Sequence, residues 1–370
     1  MRLLFLTKRQ YMGKDLLDDS YGRFFEIPAE LAKQGHQLQG LTLSYRPRPE
    51  GNLKGPTIDS TPVDWHSINL GRLFLPGFSR YLKKITRLIN EFTPDVIIAG
   101  SDAIHAIIGV RIARQHKIPC VVDLYDNFES FGLTKLPGVL SRFRISVSLA
   151  DGVTCVSENL TNHIVKKYNP TGKVITIENG IPPNLFRPMD KQKCREKFGL
   201  PKHARIIGTA GALGANRGID ILFKGFQELN AANPSIHLAL AGPLEPGIRL
   251  PTGPKVHHMG NLQYQDVPIF INALDIGIIC NIDTLFGRYC FPQKAYEMMA
   301  CGIPVVAAKV GAMAELLAAY PECLFEPENQ LSFIKTIENQ IIQPSLMNLP
   351  ILSWPELAIK FNALLNEIKK

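Results

Sequence analysis

Along the 370 residues, short β-branched or apolar runs alternate with stretches whose apolar positions recur every three or four residues. In the first half the runs are "RLLFLT", "HQLQGLTL", "DVIIAG", "PCVVDLY", "GVTCVS" and "KVITIEN"; helical spacing marks "RFFEIPAELAKQG", "HAIIGVRIARQHK" and "NLTNHIVKKY" between them. Such alternation predicts α/β layers, and runs that are apolar throughout predict parallel strands covered on both faces. At "ENGIPPNLFRPMDKQK" (178 to 193) the pattern breaks into Gly and Pro, which reads as a connection between domains. A second series follows: "RIIGTAG", "IHLALAG", "KVHHMG", "DIGIIC", "PVVAA" and "CLFE", with helical "IDILFKGFQELNAAN" and "LSFIKTIENQII". Two doubly wound, Rossmann-like domains are predicted, over 1–180 and 181–350. The segment 351–370 is a last helix, with Ser353 as its N-cap, packing where the chain returns, the amino-terminal domain included. Ligands of such sheets bind beyond the carboxyl ends of the strands, so the cleft between the two domains is the expected site.

Composition narrows this little: 45% hydrophobic and 20% charged residues suit an ordinary globular protein. No window reaches the roughly 18 apolar residues of a membrane span, and the apolar run in "MRLLFLTKRQ" is too short for a signal-peptide core. A cytoplasmic protein is expected. Seven cysteines without a CxxC read as reduced core thiols; with no HExxH and no DxD, no protein-held metal and no cofactor are expected.

Charge is more informative. The net charge is +8, and the first 180 residues carry 23 Lys and Arg against 17 Asp and Glu. Within that excess, "GRLFLPGFSRYLKKITRLINEF" (71 to 92) mixes Arg72, Arg80, Lys83, Lys84 and Arg87 with Leu73, Phe74, Leu75, Phe78, Leu82, Ile85 and Leu88. It reads either as a solvated helix with its apolar side on the core or as a helix resting on an anionic membrane. A nucleic-acid partner is not expected.

Three stretches of the second domain could carry chemistry. In "GTAGALGANRGID" (208 to 220), glycines after a strand open onto a helix, which suits backbone approach to a phosphate, although the spacing is not GxGxxG. Arg217 there opposes the helix dipole unless an anion is present; otherwise it is an exposed Arg in water. In "FPQKAYEMMACGIPVV" (291 to 306), Pro292 fits a first helical turn, and Gln293, Lys294 and Glu297 form one polar stripe on an apolar helix. Either Lys294 and Glu297 pair with each other, or the stripe faces a ligand, Lys294 toward an anion and Glu297 toward a vicinal diol. The loop "NIDTLFGRYC" (281 to 290) between strand and helix lies where a sugar or phosphate would meet backbone amides.

Taken in order, these segments resemble glycosyltransferase family 4, retaining enzymes of the B-type glycosyltransferase fold. "YGRFFEIPAELAKQGHQL", "LADGVTCVSENL", "IENGIPPNLFRP", "GALGANRGIDILFKGFQEL" and "FPQKAYEMMACGIPVVAAKVGAMAELL" are similar to its successive motifs. The resemblance implies that Glu297 binds the nucleotide ribose, that Arg217 takes the place of the donor-diphosphate Lys, and that Gly22 approaches the donor phosphates. Catalysis falls to Arg217, Lys294 and Glu297. Donor contacts extend to Gly211, Ala212, Asn216, Gly260, Asn261, Tyr289, Cys290 and Phe291.

Three positions depart from the pattern. Ala212 stands where the family often has Arg, Tyr289 where it has a sugar-contacting Glu, and Tyr125 where a His is frequent; Lys294 offsets the first loss. Arg23, Tyr125 and Asp126 are the acceptor-side candidates, Asp126 being equally a turn residue after a strand. The implied reaction moves a hexosyl group from a UDP- or GDP-sugar to a glycan, lipid-linked or small-molecule hydroxyl, with retention and no metal. Two alternatives stand beside it: an NAD(P)-dependent oxidoreductase, resting on the α/β domains and "GTAGALG", and a non-catalytic nucleotide-sugar-binding member, resting on Ala212 and Tyr289.

Overall fold

The computed structural model describes residues 1–11, 14–20, 22–54, 63–130, 132–182, 184–290 and 293–369. They form two compact units, Met1–Asn179 with Trp354–Lys370, and Gly180–Ser353.

The first unit begins with β1 (Arg2–Lys8), whose five interior residues are all buried, followed by a small ribbon of β2 (Gln10–Tyr11) and β3 (Lys14–Asp15). Helix α1 (Arg23–Lys33) leads to β4 (Gln37–Ser44), β5 (Gly51–Lys54) and β6 (Asp64–Asn69). Then α2 (Leu75–Phe92), β7 (Val96–Gly100), α3 (Ala103–His116), β8 (Cys120–Leu124), α4 (Val139–Ser148), β9 (Gly152–Cys155), α5 (Glu158–Tyr168) and β10 (Lys173–Thr176) alternate. The sheet order is β10-β9-β8-β7-β1-β4-β6-β5, with only the β5–β6 pair antiparallel. Winding runs outward from β1 through β4 and β6, then resumes on the other side at β7, so the order reverses between β1 and β7. Sheets of this kind open a crevice at the carboxyl ends of the two strands flanking such a reversal.

The second unit holds α6 (Lys191–Lys197), β11 (Arg205–Ala210), α7 (Ile219–Ala232), β12 (Ile236–Ala241), β13 (Val256–His258), α8 (Val267–Ala273) and β14 (Ile276–Ile279). It continues with α9 (Leu285–Tyr289), α10 (Gln293–Ala300), β15 (Val305–Ala308), α11 (Gly311–Leu316), β16 (Leu324–Phe325) and α12 (Gln330–Ile342). All six strands are parallel, in the order β13-β12-β11-β14-β15-β16. Its reversal lies between β11 and β14. One core joins β11, β12 and β14 to α7 and α12 through Ile207, Leu222, Phe226, Leu238, Ile278, Phe333 and Ile337.

The chain closes with α13 (Trp354–Ile368), assigned to the first unit. Trp354, Leu357, Ala358, Phe361, Leu364 and Leu365 are buried along it, and it packs on α1.

Candidate functional site

In the second unit, the carboxyl ends of β11 and β14 are drawn to the start of α7 by Gly218. Its φ is +68°, and a Cβ there would lie 1.8 Å from the carbonyl oxygen of Cys280, one residue past β14. Only glycine combines that backbone with that approach. The preceding residue, Arg217, therefore sits at the mouth of α7, a helix that opens without a side-chain cap. Its guanidinium lies 4.6 Å from the centre of the Phe286 ring, a cation–π contact. No hydrogen bond or ion pair to a carboxylate engages Arg217 among the described residues.

The polar stripe of α10 faces the same place. Lys294 is half-buried, and its Nζ donates a long 3.4 Å hydrogen bond to Oγ1 of Thr209 near the end of β11. Burial, and then the charge of Arg217, pull its ammonium from 10.5 to about 8. Arg217 thus adds a second positive charge beside a buried ammonium, and only the charge of Glu297 and the nearby thiols of Cys280 and Cys290 pull the other way. Glu297, one turn on, is 6% exposed, and burial pushes its carboxyl up to about 7 against the pull of Lys294. No ion pair within 4.0 Å joins Lys294 and Glu297 among the described residues, although the charge of each acts on the other. Among the described residues no hydrogen bond reaches the Glu297 carboxylate.

Around this centre the remaining donor-side candidates fall at graded positions. Gly211, Ala212 and Asn216 are exposed in the loop after β11. That loop is tied to the end of β12 by a hydrogen bond from Gly211 N to the Ala241 carbonyl, 2.9 Å, and the segment after β12 is tied in turn to that after β13 by Gly242 N donating to the Gly260 carbonyl, 2.7 Å. Gly260 and Asn261 follow β13, on the flank of the sheet away from β14. The stretch expected as a loop between β14 and α10 folds in part as helix, because Thr284 caps α9 by accepting from Gly287 N. Asp283 and Arg288 in that stretch bind each other on the surface. Tyr289, half-buried, ends α9, and Cys290 is buried. Phe291 and Pro292 lie outside the described residues, and with them the expected role of Pro292 in the first turn of α10.

The first unit places its candidates less uniformly. Gly22, with φ +86°, precedes α1. Arg23 corrects an expectation: it is fully buried, with Nε and Nη2 donating to the two carboxylate oxygens of Asp123 at 3.0 and 2.9 Å. Its Nη1 donates to the Ile177 carbonyl at 2.8 Å. All this ties α1 to β8 and the end of β10, and leaves no surface for direct contact with an acceptor. Tyr125 and Asp126 follow β8. The Tyr125 ring packs edge-on against Phe24 and Phe128, and Asp126 accepts from the backbone N–H of Asn127 at 2.7 Å.

Sequence reasoning missed the group at the reversal between β1 and β7. The backbone N–H of Lys8 donates to Oγ of Ser101 at 2.7 Å, bridging the ends of the two strands, and Lys8 Nζ donates to the Tyr125 hydroxyl at 3.3 Å. Burial lowers the Lys8 pKa against the opposing pull of Asp102 and Asp126. Asp102 caps α3, accepting from His105 N and Nδ1 at 2.9 and 2.7 Å and from the Tyr45 hydroxyl at 2.9 Å. Although burial opposes it, the charge and hydrogen bonds of His105 hold that carboxyl below its ordinary range. A cation at the end of an apolar first strand was the available signal; its meaning depends on the sheet order.

Comparison with known proteins places the chain by family and by fold. The family described as Glycosyltransferase Family 4 matches residues 24–185, and Glycosyl transferases group 1 matches residues 204–342. D-inositol 3-phosphate glycosyltransferase 2 of Catenulispora acidiphila is 29% identical over 191 residues, 46% of this chain and 43% of that protein. D-inositol 3-phosphate glycosyltransferase 1 of the same organism is 26% identical over 276 residues, 64% of this chain and 63% of that protein. The chain thus spans less than two thirds of the length of these relatives. Among solved structures, sucrose-phosphate synthase from Thermosynechococcus elongatus superposes with a TM-score of 0.80 at 16% identity, covering 99% of this chain and 98% of that one. Anabaena HepE in complex with UDP-glucose gives a TM-score of 0.71 at 19% identity, covering 100% and 98%. With two family descriptions matched in chain order, one on each Rossmann-like unit, and this shared fold, the chain belongs to glycosyltransferase family 4, built on the B-type fold.

Proposed function

We propose that the chain moves a hexosyl group from a UDP- or GDP-linked sugar to a hydroxyl of a glycan, lipid-linked or small-molecule acceptor, retaining configuration and using no metal. One observation carries the reading: the charge of Arg217 acts on the buried ammonium of Lys294, and one helical turn on lies the buried carboxylate of Glu297, which accepts no hydrogen bond among the described residues. A nucleoside diphosphate supplies both missing partners, phosphate oxygens for the cations and a ribose diol for the carboxylate. The UDP-glucose bound by the Anabaena neighbour supports a nucleotide-sugar donor.

In this reading the bond from the sugar C1 to the β-phosphate oxygen breaks and its electron pair stays on the diphosphate. Arg217, Lys294 and the opening N–H groups of α7 stabilise that charge as it develops. The acceptor hydroxyl bonds to C1 on the same face, and its proton leaves with the diphosphate. Lys8, Asp102, Tyr125 and Asp126 are the acceptor-side groups, and the chain works on the cytoplasmic side of the cell. The protein's own cations do the electrostatic work, so turnover survives a chelator.

The test is binding and turnover of UDP-, GDP- and ADP-sugars by the wild type and by Glu297→Ala. Loss of two charge-assisted hydrogen bonds weakens nucleotide binding by about 100-fold or more. If no nucleotide sugar binds or reacts and Glu297→Ala changes nothing, the reading fails. Ala212 and Tyr289, which lack the charged side chains the family often has there, favour a second reading as a binding module; slow transfer or donor hydrolysis that Arg217→Ala abolishes removes it.

A further inference from the structure

Helix α2 divides its apolar residues between two environments. Tyr81, Ile85, Leu88 and Ile89 are buried, as an amphipathic helix on a core requires. At its front end, Leu73, Phe74 and Leu75 stand out in solvent, 79, 64 and 78% exposed. Three consecutive large apolar side chains so exposed are unlike the single surface leucines of any soluble protein. The backbone that presents them is itself costly. Phe74 has φ +50° and ψ −56°, and the Leu75 N–H donates to the Leu73 carbonyl, which closes the rare classic γ-turn around a bulky residue. Strain of this kind persists where the surrounding structure enforces it, and its usual setting is a functional site.

The flanks of this tip are basic. Arg80 is held by Glu50 and Arg87 by Glu91, but Arg72, Lys83 and Lys84 have no ion-pair partner among the described residues. Burial, followed by the nearby Arg87 and against the pull of Glu91, lowers the Lys84 pKa. Among the described residues no helix is long and apolar enough to cross a membrane.

We propose that Leu73, Phe74 and Leu75 form a wedge that inserts into the interfacial layer of an anionic bilayer, while Arg72, Lys83 and Lys84 bind its headgroups. Apolar side chains at the tip and cations behind them match the depth profile of such a surface, acyl boundary first and phosphate above it. The inference rests on the proposed function for its purpose, delivery of the active chain to a membrane-borne acceptor, but lipid binding itself is independent of sugar transfer.

The experiment is sedimentation of the full chain with phosphatidylglycerol/phosphatidylcholine vesicles and with pure phosphatidylcholine, alongside consumption of donor in solution. The wild type is expected to pellet with the anionic vesicles and to be released by salt. Leu73→Ser/Phe74→Asn/Leu75→Ser uses Asn at the positive φ it tolerates. It is expected to bind on the order of 100-fold more weakly, with unchanged melting temperature and donor consumption. Arg72→Glu/Lys83→Glu is expected to lose about tenfold or more. Equal pelleting of wild type and both variants overturns the proposal, as does a wild type that ignores anionic lipid. A wedge variant that instead turns a dimer into a monomer also overturns it, by assigning the tip to a second copy of the chain. Donor chemistry that fails while lipid binding holds counts against the proposed function alone.

Discussion

Glu297 and Lys294 are costly residues for the fold that carries them, and the costs have opposite signs in pH. A carboxyl raised from 4.5 to about 7 means that the folded chain holds its proton more tightly than the unfolded chain does. That contribution is complete below about pH 4.5 and is lost as pH rises through about 7, a swing of roughly 3 kcal/mol. Glu297→Gln is therefore expected to melt a few degrees higher than the wild type at pH 8 without ligand, while binding UDP more weakly. Calorimetry over pH 5 to 8 checks this, and a lower melting temperature at pH 8 would mean the carboxylate is engaged. Lys294, lowered from 10.5 to about 8, penalises the fold below pH 8, and the penalty fades as pH rises toward its ordinary value. UDP affinity is accordingly expected to decline above about pH 8, where the free site loses its second cation, and titration calorimetry at pH 7 and 9 reads it. Arg23 is a residue of the other kind. Removing a fully buried guanidinium from a bidentate carboxylate strands Asp123, so Arg23→Ala is expected to cost about 3–5 kcal/mol in denaturant unfolding. Asp126→Asn, by contrast, is expected to leave stability nearly unchanged and to raise the acceptor KM. Glu297 and Lys294 were legible as a pattern because both lie on one helix and their spacing is local. Lys8 and Asp102 were not, because they meet only through the order of strands distant in sequence.

At the scale of elements, the apolar strands announced themselves and the polar ones did not. β1, β7, β8, β11, β12, β14 and β15 are nearly continuous apolar runs buried on both faces. β6, "DWHSIN", was missed: it alternates buried Trp65 and Ser67 with less buried residues, and its neighbour β5 is the antiparallel edge of the sheet. In α9 five residues are too few for a helical period to register, and the cap from Thr284 becomes recognisable only with the fold in hand. The start of α7 depends most sharply on one position. Gly218→Ala must open the contact with the Cys280 carbonyl and adopt φ +68°, so it is expected to displace Arg217, lower UDP affinity at least tenfold and lower the melting temperature as well. Unaltered affinity would show that Arg217 does not need this turn.

For the whole molecule, Gly and Pro interrupt both periodicities at once at 178–193, and the two compact units part between Asn179 and Gly180. The assignment of α13 to the first unit was open in the sequence, since an amphipathic helix states only that one side is covered. Deleting residues 354–370 is expected to lower the unfolding transition of the first unit and spare that of the second, because Trp354, Phe361 and Leu365 are buried in the former. The central claim concerns what this assembly does. The measurement that tests it most directly is transfer or hydrolysis of the UDP-, GDP- and ADP-sugar panel, with the anomeric configuration of the product read by NMR. One nucleotide sugar consumed with retention, and a kcat lowered about 100-fold in Arg217→Ala, is the predicted result; no nucleotide sugar bound or consumed by the wild type would contradict it.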